Sequence, residues 1–451
     1  MRKTCKKQLP LPESTPVHPK TKELEMISTI LDQNNNIYDL VIQDLGIADH
    51  ATGAEGMSAE QVVRAAIIKQ TEGFSYEELA FHLADSSAFR TFCRFGFGKT
   101  YAKSTLNLNI KAISPSTWEA INRALIGYAD TEEIEHGRKV RIDCTVVESN
   151  IHPPTDSELL WDCIRVLVRI LVQAQNDLDG FKSSFMDHTR RSKRRRLAIL
   201  NAKNDSQRKK HYKDLLKMAE KTIGYAESTL SALNSFHAST IAQESLRIGI
   251  KKELEHYLPL VRQINCQATR RVIHGESVPA NEKLVSIFEP HADIIIKDKR
   301  DVYYGHKICL TGGASNLIID CQILLGNPAD ATLTKSMLER QEEIYGRTPL
   351  KVALDGGFAS GENLKAAKEQ GIKDVCFSKG RGLAAEDMCR SSYVYKVLRK
   401  FRAGIESGIS WLKRAFGLDR CLWKGHASFE SYVWASIVSA NLLTMARKQL
   451  A

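Results

Sequence analysis

The chain has 451 residues, 64 Lys and Arg against 53 Asp and Glu, 13 His and 10 Cys, for a formal net charge of +11. Its 43% hydrophobic and 26% charged residues are those of a folded globular protein and exclude wholesale disorder, collagen and a disulfide mini-scaffold; at roughly 100–200 residues per domain the length suits two to four domains. Apolar runs stay well short of the ~18–20 residues of a membrane span, the cysteines include no CxxC pair and suit a reducing cytoplasm, and a pI near 9.0 points to a polyanionic partner.

Residues 1–21 carry basic charge and four prolines without an apolar h-region, and read as a mobile basic tail rather than a signal peptide. Residues 22–33 follow as a helix with a short linker. Ser58 opens a helix with Glu60 and Gln61 in its first turn, and Ser75-Tyr76-Glu77-Glu78 has the capping-box spacing that opens another. Two short helices joined by Glu72-Gly73-Phe74 resemble a helix-turn-helix arrangement, although an ordinary helical hairpin is the favoured reading of these residues alone.

Residues 139–147 alternate apolar and polar side chains and predict a strand. Helical spacing then dominates 156–265, with Pro259 placed to kink or end the last helix. Strand patterns return at 284–288, 294–296, 306–310, 317–325, 350–354 and 372–377, with helical patterns at 332–344, 362–370 and from about 401 on. The whole predicts an α/β core whose first strand is split from the others by a long helical insertion. The expected organisation is a helical domain at 22–135, a core formed by 136–155 and 270–451, and an insertion at 156–269. Between Lys182 and Lys217 stand thirteen Lys and Arg against Asp187, Asp205 and Asp214. Within that cluster Arg190, Arg191, Lys193, Arg194, Arg195 and Arg196 are candidates to neutralise DNA phosphates; a solvated helix face or a disordered loop would carry the same composition.

Three carboxylates have contexts that suit chemistry. Asp355 ends an apolar strand and precedes Gly356-Gly357-Phe358, and ligands gather at the carboxyl ends of strands in open α/β sheets. Asp143 sits on the first core strand, where a carboxylate needs a partner or a metal, an ion pair with Arg141 or another base being the plain alternative. In the helix whose stripe is Ile405, Ile409, Leu412 and Phe416, residues Arg402, Glu406 and Lys413 fall within about 40° of one another; an Arg402–Glu406 salt-bridge ladder is the plain alternative there. Converging carboxylates without a Cys/His cluster suit Mg²⁺ or Mn²⁺, two ions about 4 Å apart being able to serve both oxygens of a phosphodiester exchange.

Taken together, the chain resembles insertion-sequence transposases of the DDE type, which have an RNase H-like catalytic core. Residues 57–98 look like that family's N-terminal helical domain. Asp143-Cys144-Thr145 looks like its first-aspartate motif and Asp355-Gly356-Gly357-Phe358 like its second. Residues 401–443 look like its closing segment, with Arg402, Glu406 and Lys413 matching Tyr-x2-Arg-x3-Glu-x6-Lys and Arg399 standing where the Tyr belongs, Tyr395 nearby. Tyr304-Gly305-His306-Lys307 resembles the family's Tyr-Gly-x-Lys, and the early insertion resembles the ISNCY group. The resemblance implies a mixed-sheet RNase H-like fold with an all-α N-terminal domain, and a transposase that cleaves phosphodiesters at transposon ends and joins the 3′-hydroxyl to target DNA. It also implies that Asp143 bridges two Mg²⁺ ions, completed by Asp355 and Glu406, and that Arg402, Lys413 and Lys307 contact phosphate. Terminal inverted repeats, target DNA and a homodimer on DNA would be the partners. A nuclease without strand transfer and a domesticated, inactive DNA-binding transposase are the competing readings.

Overall fold

The structure is a computed structural model that describes residues 17–46, 56–96, 98–297 and 301–451, with Thr4; most of the expected basic tail lies outside the described residues. The chain forms two compact units, residues 1–150 with 306–451 and residues 151–305.

The first unit begins with α1 (Pro19–Gln33), α2 (Ile37–Leu45), α3 (Ala59–Glu72), α4 (Tyr76–Asp85), α5 (Ser87–Phe92), α6 (Lys103–Ala112) and α7 (Pro115–Thr131). The two N-terminal signals read from sequence are complete capping boxes, Ser58 with Gln61 and Ser75 with Glu78. Each satisfies two amide donors that a bare helix end leaves unpaired. Helix α3 is buried from Ala59 to Gln70. Its Arg64, 0% exposed, is tolerated because Asp32, Ser28 and the Phe92 carbonyl accept from it at 2.7, 2.7 and 3.1 Å. The first strand, β1 (Lys139–Ser149), follows.

The second unit packs α8 (Asp156–Asp177), α9 (Thr189–Leu200), α10 (Asp205–Ser235) and α11 (Ile241–Ala268) about one apolar cluster. Helix α11 runs on through Pro259 for another nine residues. The stretch 284–288, expected as a strand, is irregular. There the Gln267 amide takes the place of a neighbouring strand: it accepts from the Leu284 N–H at 2.9 Å and donates to the Leu284 carbonyl at 3.0 Å. Leu284 and Ile287 join the helical core, so this unit extends past 269, the expected end of the insertion, to Gly305. It closes with β2 (Asp293–Lys297), antiparallel to the start of β3 (Asp301–Gly312).

Back in the first unit come β4 (Ile318–Ile323), α12 (Thr334–Tyr345), β5 (Lys351–Leu354), α13 (Gly361–Glu369), β6 (Asp374–Phe377), α14 (Ala385–Met388), α15 (Ser392–Ala415), β7 (Arg420–Cys421) and α16 (His426–Leu450). Strands β3, β1, β5 and β6 lie side by side in that order, β4 pairs with β3 and β7 with the far end of β1. The β3–β4 pair is antiparallel while β1, β5 and β6 are parallel, the mixed sheet of an RNase H-like core. Helix α16 is buried almost all round and packs on α1, α3 and α7 as well as on β4. A buried amide relay fixes it there: Asn441 donates to the Asn122 side chain at 2.9 Å and the Ile318 carbonyl at 2.7 Å, and Asn122 donates to the Ile319 carbonyl at 2.9 Å. The N-terminal helices, expected as a domain of their own, therefore share one hydrophobic core with the sheet. Among the described residues no helix is long and apolar enough to cross a membrane.

Candidate active site

Strands β1 and β5 pair from Lys139 with Lys351 to Ile142 with Leu354. One step further stand Asp143 and Asp355, so the parallel register brings two carboxylates to neighbouring strand positions. On the other side Phe377 of β6 pairs with Leu354, which sets Ser378 beside Asp355; its hydroxyl donates to the Asp355 carboxylate at 2.8 Å.

Helix α15 lies across β1, β5 and β6. Its stripe of Ile405, Ile409, Leu412 and Phe416 is buried, as an amphipathic helix on a sheet requires. Gly404 permits the close approach: a Cβ there would stand 2.0 Å from Nη1 of Arg141. Arg141 is buried under the helix, donating to the Phe401 carbonyl at 3.0 Å and to the Asn316 side chain at 2.5 Å. It is Arg402 that pairs with Asp143.

The Arg402 guanidinium is the centre of the site. Its Nη2 lies 3.0 Å from Asp143 and 3.0 Å from Asp355, and its Nη1 lies 2.5 Å from Glu406. Three acids and one cation leave the cluster two charges negative. Side-chain exposure grades from 14% at Asp143 and 15% at Arg402 through 38% at Asp355 to 59% at Glu406, so the cluster opens to solvent on the helix side. Burial by itself would raise the Asp355 carboxyl. The Ser378 hydroxyl, the Gly356 amide, Arg402 and the Gly357 amide outweigh it and hold the group below the usual range. The Cys144 thiol, next to Asp143, is pushed up by its hydrogen bond with Cys309 and by burial.

The loop after Asp355 is a 3-10 turn, Gly356–Phe358. Neither glycine has a positive φ; what each supplies is room. A Cβ on Gly356 would lie 2.8 Å from Cβ of Lys379, and one on Gly357 would lie 2.4 Å from Oδ2 of Asp330. Asp330 is held by Lys307 at 2.5 Å, and Lys307 also donates to the Pro328 carbonyl at 2.7 Å. Only 9% exposed, Lys307 thus braces the wall behind the aspartate loop, a different task from the phosphate contact expected of it. Asn363 donates to the carbonyls of Ala331 at 2.7 Å and Phe358 at 2.9 Å, tying both turns together.

Sequence-predicted Asp143, Asp355, Arg402 and Glu406 meet, then. Lys413 lies further along α15 with Asp419 at 3.3 Å. Tyr395 donates to the Phe377 carbonyl at 3.1 Å, one residue before Ser378. The basic run 190–196 belongs to the second unit and is helical. There Arg191 and Arg195 bind Asp214 at 2.6 and 2.5 Å, while Arg196 pairs with Glu158 and covers the Trp161 ring. Arg190, Arg191, Lys193 and Arg194 are exposed. Ser378, Asp330 and the exposed Lys379 were missed in the sequence. Only the register of β5 against β6 could have singled out Ser378, since Ser-Lys-Gly after a strand is otherwise a common loop.

A model of the transposase DDE domain matches residues 285–442, and a model of a transposase domain (DUF772) matches residues 14–112. The first match contains Asp355 and Glu406 and begins after Asp143. No curated protein and no solved structure matches the chain. Transposases of this kind bind DNA and use divalent metal ions. With both transposase models matched in order and the acids gathered at one edge of an RNase H-like sheet, the chain belongs to the insertion-sequence DDE transposases.

Proposed function

We propose that the chain cuts phosphodiesters at the ends of its mobile element and joins the freed 3′-hydroxyl to target DNA, with Asp143, Asp355 and Glu406 holding two Mg²⁺ or Mn²⁺ ions. The observation that carries this reading is the convergence of those three carboxylates on one cation, the Arg402 guanidinium. A set of hard oxygen donors already collected around positive charge fits divalent cations of this class. When bound, such ions lower the pKa of the attacking oxygen and stabilise the leaving one. Ser378 and the glycine amides keep Asp355 ionised and oriented for that task. Arg402, once its carboxylates are otherwise engaged, has a planar fork of donors within reach of a phosphate lodged at the same edge. Lys413 and Lys379 add charge along the flanks. Exposed Arg190, Arg191, Lys193 and Arg194, with the N-terminal helices, grip the terminal inverted repeats, and a homodimer on paired ends is the working assembly.

The test uses the full chain with duplex DNA carrying the ends of the element that encodes it. End-specific nicking with Mg²⁺ or Mn²⁺, abolished by EDTA and by Asp355→Asn while DNA binding persists, is the expected result. Nicking without end preference would favour a general nuclease, and binding with no nicking under any metal would leave a DNA-binding relic.

A further inference from the structure

Away from the acids, two helices of the first unit, α3 and α6, bring ammonium groups to one indole. Lys69, in the last turn of α3, is 8% exposed. Its ammonium stands 4.9 Å from the centre of the Tyr76 ring and 5.9 Å from that of Trp423. Lys111, at the end of α6, brings a second ammonium within 5.8 Å of the same Trp423 ring. Trp423, between β7 and α16, is itself 5% exposed. Its indole N–H and the Tyr76 hydroxyl are buried, and neither finds a protein acceptor. Among the described residues no carboxylate pairs with either lysine.

That combination needs an explanation. Buried charges are ordinarily paired, as Arg64 is in the same helix, and buried donors ordinarily find an acceptor. A single lysine over an aromatic face is an ordinary cation–π contact. Two ammoniums on one indole repel each other, and neither the Tyr76 hydroxyl nor the Trp423 indole N–H brings a negative charge to offset them. Burial, then Lys111, lowers the Lys69 pKa to about 8.

We propose that Lys69, Lys111, Tyr76 and Trp423 form a binding site for a backbone phosphate of the DNA that this chain holds. A phosphodiester is the complement of the set: it offers only acceptors, carries the missing negative charge, and forms charge-assisted hydrogen bonds with ammonium groups. Lys111, half-buried, meets the phosphate first, and Lys69 backs it from below. Because α3, α4 and α6 belong to the N-terminal helices and Trp423 to the closing segment, one phosphate would fasten DNA to both. The inference rests on the reading of the chain as a DNA-binding transposase.

The experiment measures affinity of the full chain for a duplex of the element's end, by fluorescence anisotropy across a salt series. Wild type is compared with Lys111→Met, with Lys69→Met/Lys111→Met and with Lys335→Met, a control lysine on α12. The expected result is a double variant that binds about tenfold more weakly at ~0.1 M salt. Its slope of log affinity against log salt should be shallower by about 1, the ~0.9 of one phosphate contact, and the control should be unchanged. Circular dichroism checks the fold; if the double variant fails it, Lys111→Met alone decides, since that side chain is not in the core. Affinity and slope equal to wild type, or an equal loss in the control, would overturn the proposal. A wild-type chain that binds no DNA would overturn both readings, and is told apart because the wild type itself gives that result.

Discussion

Arg402 gives three acids a common counter-charge, and its removal should separate two roles. Arg402→Ala is expected to bind Mn²⁺ about tenfold more tightly than wild type without DNA, because the acids lose their competitor, and yet to lose cleavage. Manganese titration followed by electron paramagnetic resonance reads the first effect and the nicking assay the second; affinity at or below wild type would mean that the guanidinium does not compete. Gly404→Ala should destabilise the protein by about 1–3 kcal/mol, the usual range for overpacking, since its methyl meets Arg141 beneath the helix; urea unfolding reports it. Lys69 offers a test through pH. Its folded pKa, about 8, lies below the ordinary value near 10.4, so between them the unfolded chain binds more protons and stability rises with pH. The groups around it are Lys111 of α6, Tyr76 of α4 and Cys421 of β7. Lys69→Met should flatten that rise, measured as unfolding midpoints from pH 7.5 to 10.

At the level of elements, Asn363 joins two turns through two hydrogen bonds, and Asn363→Ala leaves two carbonyls to find other partners. A loss of about 1–3 kcal/mol is expected, with weaker metal binding than the stability loss alone would bring, because Asp355 sits on one of those turns. Many of the elements were legible in the sequence. Capping boxes announce α3 and α4, alternation announces β1, and the stripe of α15 predicts which face docks. What escaped has physical causes. Residues 284–288 are apolar enough for a strand, but their partner is the Gln267 side chain, and no local pattern encodes that. The merger of the N-terminal helices with the sheet depends on α16, buried on every side, where an apolar stripe carries no direction. The acids of the site were readable because short motifs surround them. Ser378, Asp330 and the bracing task of Lys307 depend on strand register and on the close approach that glycines allow, which are tertiary facts.

The whole molecule separates the two kinds of basic residue that composition lumps together. Arg195 and Arg196 are engaged within the second unit by Asp214, Glu158 and Trp161, so their replacement should lower the stability of that unit. Arg190, Lys193 and Arg194 face solvent. Changing these three to Ala should leave thermal stability nearly unchanged and make the salt dependence of DNA binding shallower by about 2–3 in slope, at ~0.9 per phosphate. An unchanged slope would place DNA elsewhere on the chain.

The chain order of the acids also has a consequence for synthesis. Asp143 is made early, the second unit follows it, and Glu406 comes 263 residues after Asp143. From Gly305, where the second unit ends, to Glu406 is a further 101 residues, at ~5–20 residues per second roughly 5–20 s in which the whole second unit has been made but the last of the three acids has not. On the proposed function, a chain stopped within that interval would carry the exposed basic residues of the second unit without a complete set of carboxylates, so that it could hold DNA and could not cut it.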